Sequence, residues 1–297
     1  LVQGMGEEAG PSLVAHPDVE VVLFTGSFEV GSLVRQECGK SDHRMAVCEM
    51  GGKNALIVLA DANLDLAVNA GILSAFKTTG QRCVSSGRIL IVESVYKEYC
   101  KRFKDLACRL KVGDPLLEGT FMGPLVNEAG VEKVKRYNAL AKEEGGEVLL
   151  DYSQLEGPEY ARGHFIGPFV YKMKHKADSR VLREEVFGPH VALVPVRDVG
   201  DAIEVYNDTP YGLSCSVVSE DFRKIRRIQQ ECEFGLGYVN LPTIGAEVHL
   251  PFGGVKRSGT GMPSAAALVD AVTHKVAWTV NHAEKIEMAQ GLSTSVE

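Results

Sequence analysis

Short apolar runs rich in β-branched residues alternate with helical patterns along most of the chain, and this alternation restricts the fold more than any other feature. Several of the runs lack polar alternation, which is typical of strands buried on both faces. Strands separated by helices at this spacing predict an α/β fold with a largely parallel sheet. The predicted strands are 19–24, 54–59, 88–92, 147–150, 190–196, 214–219 and 236–241.

The intervals between these strands carry apolar residues three and four positions apart, which predicts amphipathic helices. The first helix follows a possible cap at Asp61 or Asn63, and the second stops at Gly113-Asp114-Pro115. The predicted helices are 64–76, the stripe from Tyr96 to Leu110, 127–143, 198–207 and 220–232.

The composition is that of a globular protein and argues against several kinds of partner. The 297 residues are enough for two domains or one large one. A formal net charge of -7 disfavours nucleic acid or an anionic membrane, and no apolar run approaches the ~20 residues of a membrane span. The seven cysteines include no pair at zinc-site spacing, which indicates a reducing, cytoplasmic location and no bound metal.

The segment GQRCVSSG, residues 80–87, places Cys83 beside Arg82 and after the helix predicted at 64–76. A nucleophilic thiol needs a positive neighbour or a helix N-terminus to ionise near neutral pH, and Arg82 offers such a charge. The alternative is an inert buried thiol, which is the more common role of a cysteine in a reducing compartment. This segment alone leaves both interpretations open.

Three other segments combine glycines with candidate functional residues. FTGSFEVG at 24–31 is typical of a strand, a glycine turn and a helix start, which either bind a phosphate or simply connect two elements. In EMGGKN at 49–54, Glu49 is either a desolvated general base or a solvated acid. The paired acids of EEVFGP at 184–189 either bind a sugar hydroxyl or remain surface charge.

In this order, FTGSFEVG, EMGGK, GQRC and EEVFGP resemble the motifs of the NAD(P)-dependent aldehyde dehydrogenase superfamily. Glu49 precedes Cys83 by 34 residues, which matches the spacing of the family's general base and nucleophile. Residues 238–259 resemble the segment that lines the family's substrate tunnel. The resemblance extends from about residue 3 to 282 and implies an aldehyde dehydrogenase-like α/β fold.

The resemblance also implies the role of each candidate. Cys83 would attack the aldehyde, its backbone N–H would stabilise the oxyanion, and Glu49 would activate the water that hydrolyses the thioester. The cofactor, NAD or NADP, would contact Gly26, Ser27, Val30, Gly51, Glu185 and Phe187. The substrate tunnel would include Arg82, Val84 and Phe252, among which the sequence indicates no carboxylate anchor.

By the same resemblance the chain divides into three parts. Residues 1–52 would be the C-terminal part of a Rossmann-like cofactor domain, and 53–255 the catalytic domain. Residues 256–297 would return to the cofactor domain and supply an oligomerisation strand near 274–281, followed by a tail. A homodimer or homotetramer acting on a small aldehyde is therefore expected.

Family members are longer at the front, so the resemblance implies that this chain is N-terminally truncated. The missing part would hold an asparagine that donates to the oxyanion and much of the adenosine site. Loss of one such donor typically costs about 100- to 1,000-fold in rate, so reduced or no activity is expected of the chain alone. The alternatives are a non-catalytic remnant that oligomerises or binds a partner, and a cofactor-independent esterase using Cys83 and Glu49.

Overall fold

The computed structural model describes residues 1–153, 155, 157–260 and 264–286. Its helices are α1 (Gly6–Ala15), α2 (Phe28–Cys38), α3 (Leu64–Phe76), α4 (Glu93–Ala107), α5 (Glu128–Glu143), α6 (Arg180–Arg183), α7 (Val199–Asn207), α8 (Phe222–Glu231) and α9 (Leu268–Val272). Its strands are β1 (Val21–Thr25), β2 (Met45–Glu49), β3 (Asn54–Val58), β4 (Ser86–Val92), β5 (Glu147–Asp151), β6 (Phe169–Lys172), β7 (His190–Val196), β8 (Tyr211–Gly212), β9 (Ser214–Val218), β10 (Leu236–Val239), β11 (Pro251–Phe252), β12 (Val255–Lys256) and β13 (Ser264–Ala265).

A seven-stranded sheet forms the centre of the molecule, in the order β10-β9-β3-β4-β7-β6-β5. Its pairings are parallel except that β5 runs antiparallel to β6. Alternate residues of β3 enter two separate cores. Ile57 packs in the core with α5, α7 and α8, and Leu56 packs in the core with α3 and α4. Burial on both faces explains the continuous apolar runs, and the predicted α/β fold is confirmed.

A second, smaller parallel sheet precedes this one and consists of β1 and β2. Helix α2 connects the two strands and packs on them through a small buried cluster of Val34, Cys38, Cys48 and Met50. Helix α1 buries none of its residues. The strand–helix–strand unit is the arrangement expected of part of a Rossmann-like domain.

The structure refines several predicted element ends. Asn63, rather than Asp61, caps α3, because its side chain accepts from the backbone N–H groups of Asp65 and Leu66. Asp61 instead accepts from the hydroxyl of Ser219. Helix α4 ends at Ala107, so the apolar stripe predicted to reach Leu110 overruns it. Strand β6 has four residues and was too short for the sequence pattern to predict.

The C-terminal part carries short pairings rather than a further sheet. Strand β12 pairs with β8, and β13 pairs with β11. In the described part of the chain, residues 274–281 belong to no strand, so the oligomerisation strand stays a prediction that needs a second copy as partner. Of the segment predicted at 256–297, residues 261–263 and 287–297 lie outside the described residues. None of the helices described is long and apolar enough to cross a membrane.

Candidate active site

Three loops that are far apart in sequence meet at one edge of the large sheet. Strands β3, β4 and β7 are adjacent and parallel, with Asn54 opposite Ser86 and Arg88 opposite Ala192. The segments that precede these strands therefore lie side by side at their amino ends. The carboxyl ends of β1 and β2 face the same place, since Thr25 pairs with Glu49 and the Gly26 N–H donates to the Glu49 carbonyl at 3.0 Å.

A cleft of about 690 Å³ opens between the two sheets and is lined by side chains from both. It brings together every residue predicted for the site except Val30, which lies on the first turn of α2 and is 47 % exposed. The predicted residues that line the cleft are Cys83, Glu49, Gly26, Ser27, Gly51, Glu185, Phe187, Arg82, Val84 and Phe252.

The backbone around Cys83 is fixed by Asn54, the first residue of β3. Its side-chain amide donates to the carbonyl of Cys83 at 2.6 Å and to that of Ser85 at 2.9 Å. Its side-chain oxygen accepts from the Ser214 N–H at 2.8 Å, so the same side chain also ties β3 to β9. Asn54 was not predicted as a site residue. Its position after the two glycines of EMGGKN is the signal that could have indicated it.

The Cys83 thiol is half-buried, and its pKa is raised to about 11. Burial is the main cause, followed by the negative charges of Glu185 and Glu49, while the backbone N–H groups of Val84 and Cys83 act in the opposite direction. The raised pKa does not show the activation that a neighbouring positive charge would give, because burial and the two carboxylates dominate. Near neutral pH, Cys83 is therefore a neutral thiol.

Glu49 is the last residue of β2 and is only 5 % exposed. Its two carboxylate oxygens have no hydrogen-bond partner among the described residues. Burial raises its pKa to about 8, so of the two alternatives for this segment the structure shows the desolvated carboxyl group. A group with such a pKa exchanges its proton near neutral pH, as a general base must.

The two acids of the EEVFGP segment have different environments. Glu185 lines the cleft and accepts from the Gly52 N–H at 2.9 Å. A Cβ atom at Gly51 would clash with this carboxylate, so a larger residue there would force the Glu185 side chain to move. Burial raises the pKa of Glu185. Glu184 instead binds Arg180 at 2.8 Å and the hydroxyl of Tyr137, which ties α6 to α5.

Lys53 is a second site residue that was not predicted. It is 2 % exposed, and its amine has no hydrogen-bond partner in the described part of the chain. Burial and the charge of Arg88 lower its pKa to about 7, whereas Glu185 opposes this shift. Lys53, Glu185 and His190 line a small cavity of about 20 Å³ below the cleft, enough space for one water molecule.

The wall of the cleft formed by the turn that precedes α2 has the chemistry of a phosphate site. Ser27 caps this 11-residue helix by accepting from the Val30 N–H at 3.2 Å, and Ser27 and Gly26 both line the cleft. This turn leads into the N-terminus of α2, whose backbone N–H groups and positive dipole end favour an anion. Together with the buried carboxylate of Glu185, which suits a ribose hydroxyl, these residues fit a dinucleotide. No group of three metal-ligating side chains occurs among the residues described.

Comparison with known proteins shows the family of the chain. A model of the aldehyde dehydrogenase family matches residues 1–277. The chain belongs to the aldehyde dehydrogenase family. Among its relatives, the α-ketoglutaric semialdehyde dehydrogenase of Bacillus subtilis is 32 % identical over 260 residues, which cover 88 % of this chain and 53 % of the relative. The phenylacetaldehyde dehydrogenase of Pseudomonas fluorescens is 35 % identical over 273 residues, covering 92 % of this chain and 53 % of the relative.

Solved aldehyde dehydrogenase structures share the fold. The 1-pyrroline-5-carboxylate dehydrogenase from Thermus with bound NAD superposes with a TM-score of 0.83 at 36 % identity, covering 90 % of this chain and 52 % of that one. The betaine aldehyde dehydrogenase of Staphylococcus aureus in complex with NAD+ gives 0.84 at 30 % identity, covering 88 % and 52 %. The chain thus spans about half the length of the aldehyde dehydrogenases that it matches, and the resemblance inferred from the motifs is confirmed.

Proposed function

We propose that this chain carries the catalytic centre of an enzyme that oxidises an aldehyde to a carboxylic acid with NAD or NADP. The observation that carries the proposal is the cleft itself. It joins a thiol, Cys83, with an unpartnered buried carboxyl group, Glu49, and with a wall that suits a dinucleotide. Membership of the aldehyde dehydrogenase family supports the same reaction class.

In the proposed reaction, the sulfur of Cys83 adds to the aldehyde carbon and loses its proton. The high pKa of the thiol means that a base has to accept this proton, and Glu49 lines the same cleft with a pKa of about 8. The backbone N–H of Cys83 donates to the developing oxyanion. When bound, the nicotinamide supplies the acceptor for the hydride that leaves the carbon. Once Glu49 has passed the thiol proton to solvent, it takes a proton from the water that hydrolyses the Cys83 thioester, and this proton returns to the departing Cys83 sulfur.

For the cofactor, Gly26 and Ser27 would bind the pyrophosphate at the start of α2, with Val30 near the adenine. Gly51, Glu185 and Phe187 would hold the nicotinamide ribose and ring. Support comes from the Gly52 N–H, which orients the Glu185 carboxylate, and from Phe187, which is 41 % exposed and lines the cleft. Two solved relatives contain NAD.

The whole protein would contain a cofactor part at 1–52, a catalytic part at 53–255 and a C-terminal part at 256–297, and would act as a homodimer or homotetramer. The separation of the small and large sheets supports the first boundary. A second candidate function is ester hydrolysis without cofactor, because the nucleophile and the base that it requires already line one cleft.

The proposal is tested with p-nitrophenyl acetate and with aldehydes plus NAD+ or NADP+. We expect Cys83→Ala to lower ester hydrolysis by about 100-fold or more, since the residual rate comes from binding alone. Glu49→Gln should let an acetyl group accumulate on Cys83, detectable by mass spectrometry of the peptide. Cys108→Ala, at an exposed thiol outside the cleft, is the matched control and should keep full activity.

Two results would contradict the proposal. One is an acetyl group that forms on another cysteine at the same rate in the Cys83→Ala variant. The other concerns the oxidation itself: if NADH or NADPH forms from an aldehyde equally well without Cys83, the thiol is not the nucleophile. Ester hydrolysis without any formation of reduced cofactor would favour the esterase.

A further inference from the structure

Arg82 presents an unpaired cation next to the nucleophile. Its side chain is exposed and lines the cleft, and its backbone N–H donates to the Ser85 hydroxyl at 3.2 Å. Its Nε donates to the hydroxyl of Thr78 at 2.8 Å. Its two terminal nitrogens make no hydrogen bond or ion pair with any residue that the structure describes. The guanidinium is thus held at one nitrogen and free at two.

The turn that holds Arg82 has an unusual backbone. Thr78 and Thr79 both adopt left-handed conformations, with φ of 56° and 57°. Such conformations cost about 1–3 kcal/mol each and persist where surrounding contacts enforce them. The Thr79 hydroxyl donates to the Gly123 carbonyl at 2.9 Å, and the Gln81 side chain accepts from the Val126 N–H at 2.9 Å. These two hydrogen bonds anchor the turn. They therefore also fix the position of the Thr78 hydroxyl, which accepts from Arg82.

The other charged residues that line the described cleft are Glu49, Glu185 and Lys133. Glu49 is the proposed base, and Glu185 accepts from the Gly52 N–H. Lys133 also lines the cleft, and its positive charge lowers the pKa of Glu185, so it acts on that carboxylate. Arg82 has no such carboxylate partner in the described chain, and it is the residue directly before Cys83.

We propose that Arg82 determines substrate specificity by binding a carboxylate at the far end of the aldehyde, so that short ω-oxo carboxylic acids are the preferred substrates. A guanidinium whose two terminal nitrogens are free matches the two oxygens of a carboxylate in a bidentate pair. The sequence alone indicates no such anchor, because it does not show that the guanidinium lacks an internal partner. The inference rests on the proposed function, in which Cys83 binds the aldehyde carbon.

The first test uses Cys83 as a reporter and requires neither cofactor nor turnover. The chain is alkylated at pH 9 with iodoacetate, which is anionic, and in parallel with iodoacetamide, which is neutral. The rate at Cys83 is divided by that at the exposed Cys108 in the same sample. We expect Arg82→Gln to lower the iodoacetate preference of Cys83 about 5-fold, the effect of one nearby charge in a partly solvated site. Arg226→Gln, on the exposed face of α8, is the control and should leave it unchanged.

The second test measures protection of Cys83 from iodoacetamide by two aldehydes with four carbons, 4-oxobutanoate and butanal. The wild-type chain should be protected at about 10-fold lower concentration of 4-oxobutanoate, and Arg82→Gln should remove this difference. Arg82→Lys keeps the positive charge but not the planar guanidinium, so it should retain only part of the difference in protecting concentration.

The outcomes separate the inference from the proposed function. Equal protection by both aldehydes, together with an unchanged alkylation preference in Arg82→Gln, overturns the role of Arg82 and leaves the proposed function intact. Protection by neither aldehyde contradicts the proposed function, and the alkylation preference then still decides whether Arg82 attracts anions. A Cys83 that reacts with neither reagent would contradict the open cleft on which the inference rests.

Discussion

The two sheets of the molecule differ sharply in how they are packed. All five residues of β3 are buried in the large sheet, whereas no residue of β1 is buried in the small one. Helix α3 buries eight residues and α1 none. The small sheet and its helix α2 also leave large apolar side chains exposed, among them Leu23 of β1 at 51 % and Leu33 of α2 at 62 %. The two sheets therefore have different local stabilities, since local opening occurs where few apolar contacts are buried.

The candidate active site combines residues from both sheets. Cys83 lies on a loop fixed to the large sheet by Asn54, whereas Glu49 is the last residue of the small sheet. Among the described residues, the small sheet is tied to residues 258–260, for example by the Cys48 N–H to the Thr260 hydroxyl at 2.8 Å and the Thr260 N–H to the Cys48 carbonyl at 3.0 Å. Local opening of the small sheet would thus separate the proposed base from the nucleophile while the large sheet stays folded.

The largest expected effect compares the same substitution in the two sheets. Leu56→Ala in β3 removes a fully buried side chain and should lower the free energy of unfolding by about 3–5 kcal/mol. Leu23→Ala in β1 removes a half-exposed side chain and should cost less than about 1 kcal/mol. Urea unfolding followed by circular dichroism measures both. Equal losses of unfolding free energy in the two variants would contradict this comparison. They would show that the two sheets are equally well packed and unfold as one cooperative unit.

A smaller effect is expected from Glu49→Gln, and it depends on pH. The folded-state pKa of about 8 exceeds the ordinary value of 4.5, so between these pH values the native state binds more protons than the unfolded state. The stability of the wild type therefore falls as pH rises through this window. The variant does not titrate and should gain about 2–4 kcal/mol over the wild type at pH 9 and nothing near pH 4. Thermal unfolding at the two pH values measures the difference, and a constant difference would contradict the burial of this carboxyl group.

The smallest effect concerns the link between Cys83 and the large sheet. Asn54→Ala leaves two carbonyls and the Ser214 N–H without their partner and should cost about 1–3 kcal/mol. In this variant iodoacetamide should also alkylate Cys83 over a wider range of rates, because the loop that carries Cys83 is no longer held in one conformation. Asn69→Ala, on the exposed face of α3, is the matched control and should stay within about 0.5 kcal/mol of the wild type. If both variants behave alike, the loop is held by its own turn rather than by the sheet.

Local pattern predicted most of the large sheet because its strands are apolar on both faces and its helices have clear stripes. The small sheet was harder to predict from the sequence, as strand β2 shows. Its residues run from exposed Met45 to buried Glu49, and a strand that ends in an acidic residue does not show the apolar pattern of a buried strand. The site residues were placed by motif and by family resemblance, and ten of them do line one cleft. Asn54 and Lys53 were missed because a single amide or amine at the start of a strand has no periodicity that indicates burial.

The sequence by itself determined the kinds of element, the α/β class and the order of the motifs, because these depend on residues close together in the chain. Only the tertiary structure decided which loops meet. The Gly52 N–H and the Glu185 carboxylate are 133 positions apart and come together because β7 pairs with β4 beside β3. The tertiary structure also decided the pKa values and the pairing of the ionisable groups. The pKa of Cys83 and Glu49 and the free guanidinium of Arg82 depend on burial and on partners from distant segments, which no local pattern contains.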